Sequence, residues 1–329
     1  MKPRTRLHAL AMLCCAAMFG LPLPVDAGRP IPLPCAADLL FVSDNPEAVR
    51  GTRGLLYAET ETATCVRLLY HHENARSDSP MAIQVWARDD DDVPAHLALT
   101  LGAGGPAPNP MSVGHRAILR FWQAVLSGAA TSLEIAPHQW KPLVQTVLQP
   151  HDVISGLAQL QIMTGRLTIV VLAYLPGTSE ADIAPASFFT RVGTHPFGVF
   201  KSPFIEEHLE ARLDQPRGLL LAGAGYLSSP TQGFMLKGNY GVVYHLRVEC
   251  VNPSGRPMLL TVKFSPFHGP AAGILIVNGT LVDIPPLGRD AVREIGRFQI
   301  PPGRWPLDIW TVPEGASAYP VQLEFVPGG

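Results

Sequence analysis

The chain has 329 residues, with 25 basic against 27 acidic side chains, a formal net charge of -2, 47% apolar and 16% charged residues. That balance excludes an electrostatically held nucleic-acid binder and a disordered chain, which needs low hydrophobicity and high net charge. The 33 Pro and 30 Gly, about a fifth of the chain, predict many turns and few long helices, and the length suits two domains.

Residues 1–27 read as a cleaved leader. Lys2, Arg4 and Arg6 precede an apolar run from Leu7 to Leu21, Pro22 and Pro24 end it, and Val25-Asp26-Ala27 offers small residues for a peptidase. The run is shorter than the about 20 residues a spanning helix needs. The chain is therefore expected to be exported, periplasmic or extracellular, with no transmembrane segment once the leader is removed. Cys35, Cys65 and Cys250 remain after that cleavage. Cys35 and Cys65 fall in one proposed domain, and both a disulfide and buried free thiols are open to them.

The first strongly patterned strand covers Val66 to Asn74. Alternation puts Val66, Leu68, Tyr70 and His72 inside and Arg67, His71 and Glu73 outside. His71 and Glu73 share a face, and His96, His115, His138 or His151 could join them. Imidazole with carboxylate suits Zn or Cu, and His71, Glu73 and His115 form the candidate metal set. The competing reading is a solvent-facing histidine beside a glutamate. Asp89 to Asp92 reads as a charged hairpin tip rather than a calcium loop, since it lacks alternating ligand spacing and a turn glycine. Gly102-Ala103-Gly104-Gly105-Pro106 lacks the Lys-Ser/Thr of a phosphate loop and reads as a connection.

One helix is predicted over residues 110–127. Asn109-Pro110 can start it and Gly128 can end it, while Ile118, Phe121, Trp122 and Val125 make one apolar face. After a connection over 176–215, in which Phe204 to Leu213 is a short helix or an added strand, residues 242–251 alternate again. Val242, Tyr244, Leu246, Val248 and Cys250 face inward, with His245, Arg247 and Glu249 opposite, where a solvated Arg247–Glu249 ion pair is expected.

Several segments recur. Leu39-Leu40-Phe41, Gly54, Asn74 and Met81 match Leu219-Leu220-Leu221, Gly233, Asn252 and Met258, at offsets drifting from 180 to 177. Ile135 to Trp140 matches Ile300 to Trp305 at 165, which implies 12 extra residues in the first copy. Trp140 and Trp305, with Trp310 and Tyr319, are then either structural plugs or a binding platform at the sandwich ends. The fold expected is all-β: two tandem related β-sandwiches at 35–175 and 216–329, the first carrying the helix.

Gly238-Asn239-Tyr240-Gly241-Val242-Val243-Tyr244, Asn252 and Ile300-Pro301-Pro302-Gly303 together resemble a pattern of uncharacterised exported bacterial proteins, notably cyanobacterial ones. The resemblance covers about the last 95 residues and implies no activity. In architecture, tandem sandwiches of this size also look like copper-dependent monooxygenases. His71-His72 matches their adjacent histidines, but their His-x-His in the second domain is missing, and only His245 and His268 lie nearby. With no HExxH, CxxC or GxSxG present, the expected function is an exported non-catalytic binding or envelope-associated protein for a glycan or protein partner. A metal-dependent Cu or Zn enzyme and a structural spacer are the alternatives.

Overall fold

The computed structural model describes residues 31, 33, 35–179, 187–230 and 233–328. The leader read over residues 1–27 lies outside them. Strands β1 (Leu39–Ser43), β2 (Ala48–Val49), β3 (Arg53–Glu61), β4 (Cys65–Asn74), β5 (Met81–Asp89), β6 (Ala95–Ala107), β7 (Thr131–Ile135), β8 (Trp140–Leu148), β9 (Val153–Thr164), β10 (Leu167–Tyr174) and β11 (Phe197–Lys201) build the first unit. Its sheets run β11-β1-β4-β9-β6-β7, with β2 on β4, and β3-β10-β5-β8. Phe41, Leu68, Tyr70, Ile83, Leu160 and Ile169 fill the space between them. Cys35 and Cys65 are joined by a disulfide that ties the stretch before β1 to the start of β4.

The second unit comprises β12 (Phe204–Arg212), β13 (Arg217–Leu221), β14 (Val243–Asn252), β15 (Met258–Pro266), β16 (Ala271–Val277), β17 (Thr280–Leu287), β18 (Arg293–Ile300), β19 (Gly303–Thr311) and β20 (Val321–Gly328). Its sheets run β12-β14-β19-β16-β17 and β13-β20-β15-β18. These orders match β1-β4-β9-β6-β7 and β3-β10-β5-β8 of the first unit strand for strand. In each unit the first strand lies parallel to its neighbour, β1 on β4 and β12 on β14. The segment 176–215 is therefore not one connection: β11 belongs to the first unit and β12 to the second.

The same local chemistry closes both units. Asn74 Nδ2 donates to Ser79 O at 3.0 Å and Leu148 O at 3.2 Å, while its Oδ1 accepts from Arg76 N at 3.2 Å. Asn252 Nδ2 donates to Arg256 O and Ile300 O, both at 2.8 Å, and its Oδ1 accepts from Ser254 N at 2.9 Å. Met81 pairs with Leu148 as Met258 pairs with Ile300. These positions correct part of the sequence matching. Leu148, not Ile135, corresponds to Ile300, so the offset falls from 178 to 152 and the first unit holds 26 additional residues, not 12. Trp140 opens the edge strand β8 whereas Trp305 sits in the interior strand β19, so the two tryptophans are not equivalent. Leu39–Phe41 likewise lies in β1, the counterpart of β12 rather than of β13.

The additional residues hold α1 (Pro110–Ser127), capped by Asn109, whose side chain accepts from Ser112 N at 2.9 Å, and ended by Gly128 at φ 66°. The glycine-rich segment before it is not a connection but the far end of β6. A Cβ on Gly102 would stand 2.2 Å from Ala117 O, and one on Gly104 2.0 Å from Val113 O. Glycine there lets the helix backbone lie directly on the strand. In the second unit the equivalent link is the two-residue turn Asn278-Gly279, with φ 47° and 78°, as a tight hairpin of this hand requires.

Helix α1 also reaches the second unit. It packs on β6 and β9 on one side and on β16 and β17 on the other. Ile118, Phe121, Trp122 and Val125 join Leu40, Val42, Leu69, Leu157 and Phe200 in one continuous apolar cluster with the second unit's core. The outward face of β4 is consequently buried, and Arg67 and His71, expected at the surface, are not. Arg67 is fully buried. It donates to Gln159 Oε1 at 3.1 and 3.3 Å, and across the junction to Pro203 O at 2.9 Å and Gly241 O at 3.3 Å. His115 of α1 spans the same junction, with Nδ1 3.0 Å from Glu314 Oε2 and Nε2 2.9 Å from Asp283 Oδ1.

Two predictions follow from this junction. A Cβ on Gly114 would meet Gly315 O at 2.1 Å, so Gly114→Val should cost about 1–3 kcal/mol through overpacking, read as a lowered denaturant midpoint with an unchanged slope. For His115, burial alone would lower the imidazole pKa, but the carboxylates of Glu314 and Asp283 outweigh it and raise it. A raised histidine stabilises most fully below its unfolded value of about 6.5 and loses that contribution as the pH climbs through the folded value. The stability advantage of the native chain over His115→Gln should therefore be about 1.5–3 kcal/mol at pH 6 and shrink above neutrality in paired unfolding curves.

Candidate functional site

An open concavity of about 860 Å³ lies on the outer face of β12, β14 and β19. Strand alternation sets its chemistry. Register places Glu206, His208 and Glu210 beside His245, Arg247 and Glu249, and these beside Trp310, Asp308 and Pro306. The Trp310 ring is stacked on His245 with centroids 3.8 Å apart and 14° between planes. His245 is thereby only 5% exposed, and the indole forms part of the groove wall.

The polar groups of this groove are cross-linked between strands. His245 Nδ1 lies 3.1 Å from Glu206 Oε2 and Nε2 3.2 Å from Asp308 Oδ1. Arg247 pairs with Glu206 at 3.1 Å, and Arg304 pairs with Glu249 and with Glu210. The expected Arg247–Glu249 pair is thus replaced by two diagonal pairs to neighbouring strands, Arg247 with Glu206 on β12 and Glu249 with Arg304 on β19. These rows of fixed donors and acceptors beside one aromatic plate suit a polar ligand with some apolar faces.

Of the other aromatic candidates, Trp305 alternates with the outward residues of β19 by register with Cys250 and also lines the groove, while Tyr319 and Trp140 lie elsewhere. Tyr319 stands edge-on to Tyr240 with centroids 6.1 Å apart. Trp140 sits in the first unit, 6.4 Å from Trp86, with the Arg88 guanidinium 5.2 Å over its ring. Of the platform expected in the second domain, Trp305 and Trp310 line one groove and Tyr319 does not line it.

The candidate metal set His71, Glu73 and His115 is not gathered into a metal-type cluster. His115 is committed to Glu314 and Asp283, and Glu73 approaches His151 at 3.5 Å. His138 pairs with Asp92 at 3.0 Å. His71 and His72 point to opposite faces of β4 and cannot form the adjacent pair of a copper site. His72 is fully buried in its neutral form: its Nδ1–H donates to Pro46 O at 2.9 Å, and its Nε2 accepts from the Ser43 hydroxyl at 2.8 Å. Burial pulls its pKa down to about 3. Cys250, the counterpart of His72, is a buried free thiol pushed up to about 12 by desolvation. Asp89 is buried at the end of β5, accepting from Asp91 N at 3.1 Å, and is not at a hairpin tip.

Among the described residues, a cluster that sequence reasoning missed does bring metal-type ligand atoms together. Asp44, Glu47 and His195 place one such atom each within 4.8 Å of one another. Asp44 and Glu47 flank the turn between β1 and β2, and His195 precedes β11, so 148 residues separate Glu47 from it and no spacing motif exists to find. The His195 Nε2 is 3.0 Å from Glu47 Oε2, and Nδ1 is 3.7 Å from Asp44 Oδ2. Burial raises the Asp44 carboxyl despite His195 beside it. Asp44 in turn raises His195, while His71 holds Glu47 low.

No protein-family model matches this chain, and no curated protein does. Among solved structures, the chain is similar to a β-glucosidase from Paenibacillus barengoltzii at a TM-score of 0.21 and 14% identity, over 37% of this chain and only 11% of that one. The tandem CBM22-1–CBM22-2 domains of Paenibacillus barcinonensis Xyn10C align at a TM-score of 0.17 and 11% identity, over 79% of this chain and 82% of theirs. The PBSX exported protein XepA aligns at a TM-score of 0.17 and 9% identity, over 84% and 85%. At such scores none of these likenesses carries a function across.

Proposed function

We propose that the chain is an exported, non-catalytic binding protein built from two copies of one sandwich unit, and that its ligand is a glycan held on the outer face of the second unit. The groove carries this reading. Trp310 offers an apolar plate of the kind on which the C–H face of a sugar ring stacks, Arg247 and Asp308 follow it along the groove, and Glu249 and Arg304 lie further along, with donors and acceptors for hydroxyls. Each polar group is already tied to a neighbour on another strand, which holds it in place before a ligand arrives and reduces the ordering cost of binding. No helix among the described residues is long and apolar enough to cross a membrane.

Affinity electrophoresis of the leader-free chain through gels containing envelope or extracellular polysaccharides tests the proposal. At least one polymer should retard it, without release of shorter products. Trp310→Ala should weaken the retardation at least tenfold, and Trp140→Ala should leave it unchanged. Absence of retardation by every polymer, or equal retardation of the Trp310→Ala variant, rejects the reading.

A further inference from the structure

The geometry points to a divalent transition-metal site of the Zn²⁺ type, held by Asp44, Glu47 and His195 with buried His71 beside Glu47, which fastens the segment before β11 to the β1–β2 turn. Two features beyond the acidic cluster itself support it. The His71 side chain is 4% exposed and its Nε2 faces Glu47 Oε1 at 3.5 Å, yet neither ring nitrogen has a hydrogen-bond partner. A buried imidazole with both nitrogens unpartnered is costly unless something else satisfies it. Asp44 Oδ1 is also buried without a hydrogen-bond partner. A cation held by Asp44 and Glu47 would satisfy that oxygen and lie on the Glu47 side of His71.

The surroundings hold the ligands in place as metal sites require. Asn45, between the two acids, is buried. It donates Nδ2–H to His195 O at 3.1 Å and accepts Val192 N–H at 2.8 Å, which pins the segment carrying His195. On the other side, His72 binds the Ser43 hydroxyl and the Pro46 carbonyl, so both flanks of Asp44 are anchored to β4. One donor atom from each of Asp44, Glu47 and His195 lies within 4.8 Å of the others, close enough that small side-chain rotations would bring them to the spacing of ligands about 2.0–2.1 Å from one ion. Imidazole with carboxylate selects Zn²⁺ over Ca²⁺ or Mg²⁺, which take oxygen ligands. His195 is 45% exposed, so an ion has a path in. The site is in the first unit and is independent of the groove on the second.

The test is Zn²⁺ titration of the chelator-stripped, leader-free chain against a competing indicator dye, with thermal midpoints confirming that each variant folds. One Zn²⁺ per chain is expected, with affinity lowered at least tenfold in His195→Gln and in Asp44→Asn, and unchanged in Glu73→Gln. His195→Gln alters a half-exposed side chain and is the variant that keeps the fold. As a second readout, Zn²⁺ should slow trypsin cleavage after Arg191 in the native chain and not in His195→Gln. Lack of saturable Zn²⁺ binding, or binding that survives both His195→Gln and Asp44→Asn, overturns the assignment.

Discussion

Every pattern in the first unit bends around the burial of both faces of β4. A strand in a sandwich ordinarily shows one face to the core and one to water, and its sequence alternates accordingly. Here the outward face is covered by the second unit, while α1 covers β6 and β9 beside it. Any polar side chain placed there must find a partner or remain an expensive orphan. Arg67 makes four contacts to three acceptors, Gln159 in its own sheet, Pro203 on the link and Gly241 on the second unit. His115 meets two carboxylates from across the junction. His71 meets only a distant glutamate, and that shortfall is what singles out its corner of the structure.

The same burial explains where sequence reading succeeds and where it stops. Strand alternation within each unit, the helix boundaries at Asn109 and Gly128, and the Asn74/Asn252 equivalence rest on local chemistry: period, capping and side-chain-to-turn hydrogen bonds. Those signals survive in a single chain. The face-to-face relation of the units is not local, so Arg67 and His71 look solvent-facing when read along the strand. The glycines of β6 are misleading for a related reason. Gly102 and Gly104 read as loop punctuation, yet their missing side chains serve helix contact. The Trp140–Trp305 match shows a further limit, since short motifs with proline and tryptophan recur by composition and can align strands that occupy different places in a sheet.

The two clusters that could bind something were legible to different degrees. The groove was partly visible, because His245, Arg247 and Glu249 alternate on one strand and Trp310 follows in the next stretch. Its ion pairs were not, because they cross between β12, β14 and β19 and depend on register. The Asp44, Glu47 and His195 cluster was invisible. Its members come from two segments joined only by the position of β11 beside β1, and the residue that secures the join is Asn45, a side chain with no metal or catalytic signature at all.

The contrast between α1 and the two-residue turn Asn278-Gly279 bears on how the chain is assembled. In the second unit, β16 and β17 close on each other through a tight local hairpin. In the first, the corresponding strands are separated by the helix, whose apolar residues are shared with a unit synthesised later. As the chain is made, the first sandwich is complete before the surface that shields Leu40, Leu69 and Phe200 exists. During that interval, the second sandwich of a neighbouring molecule offers the same complementary face. The covalent link between the units is only the short stretch from Lys201 to Phe204. Its brevity raises the local concentration of the correct partner, and so favours closure within one chain over exchange between two.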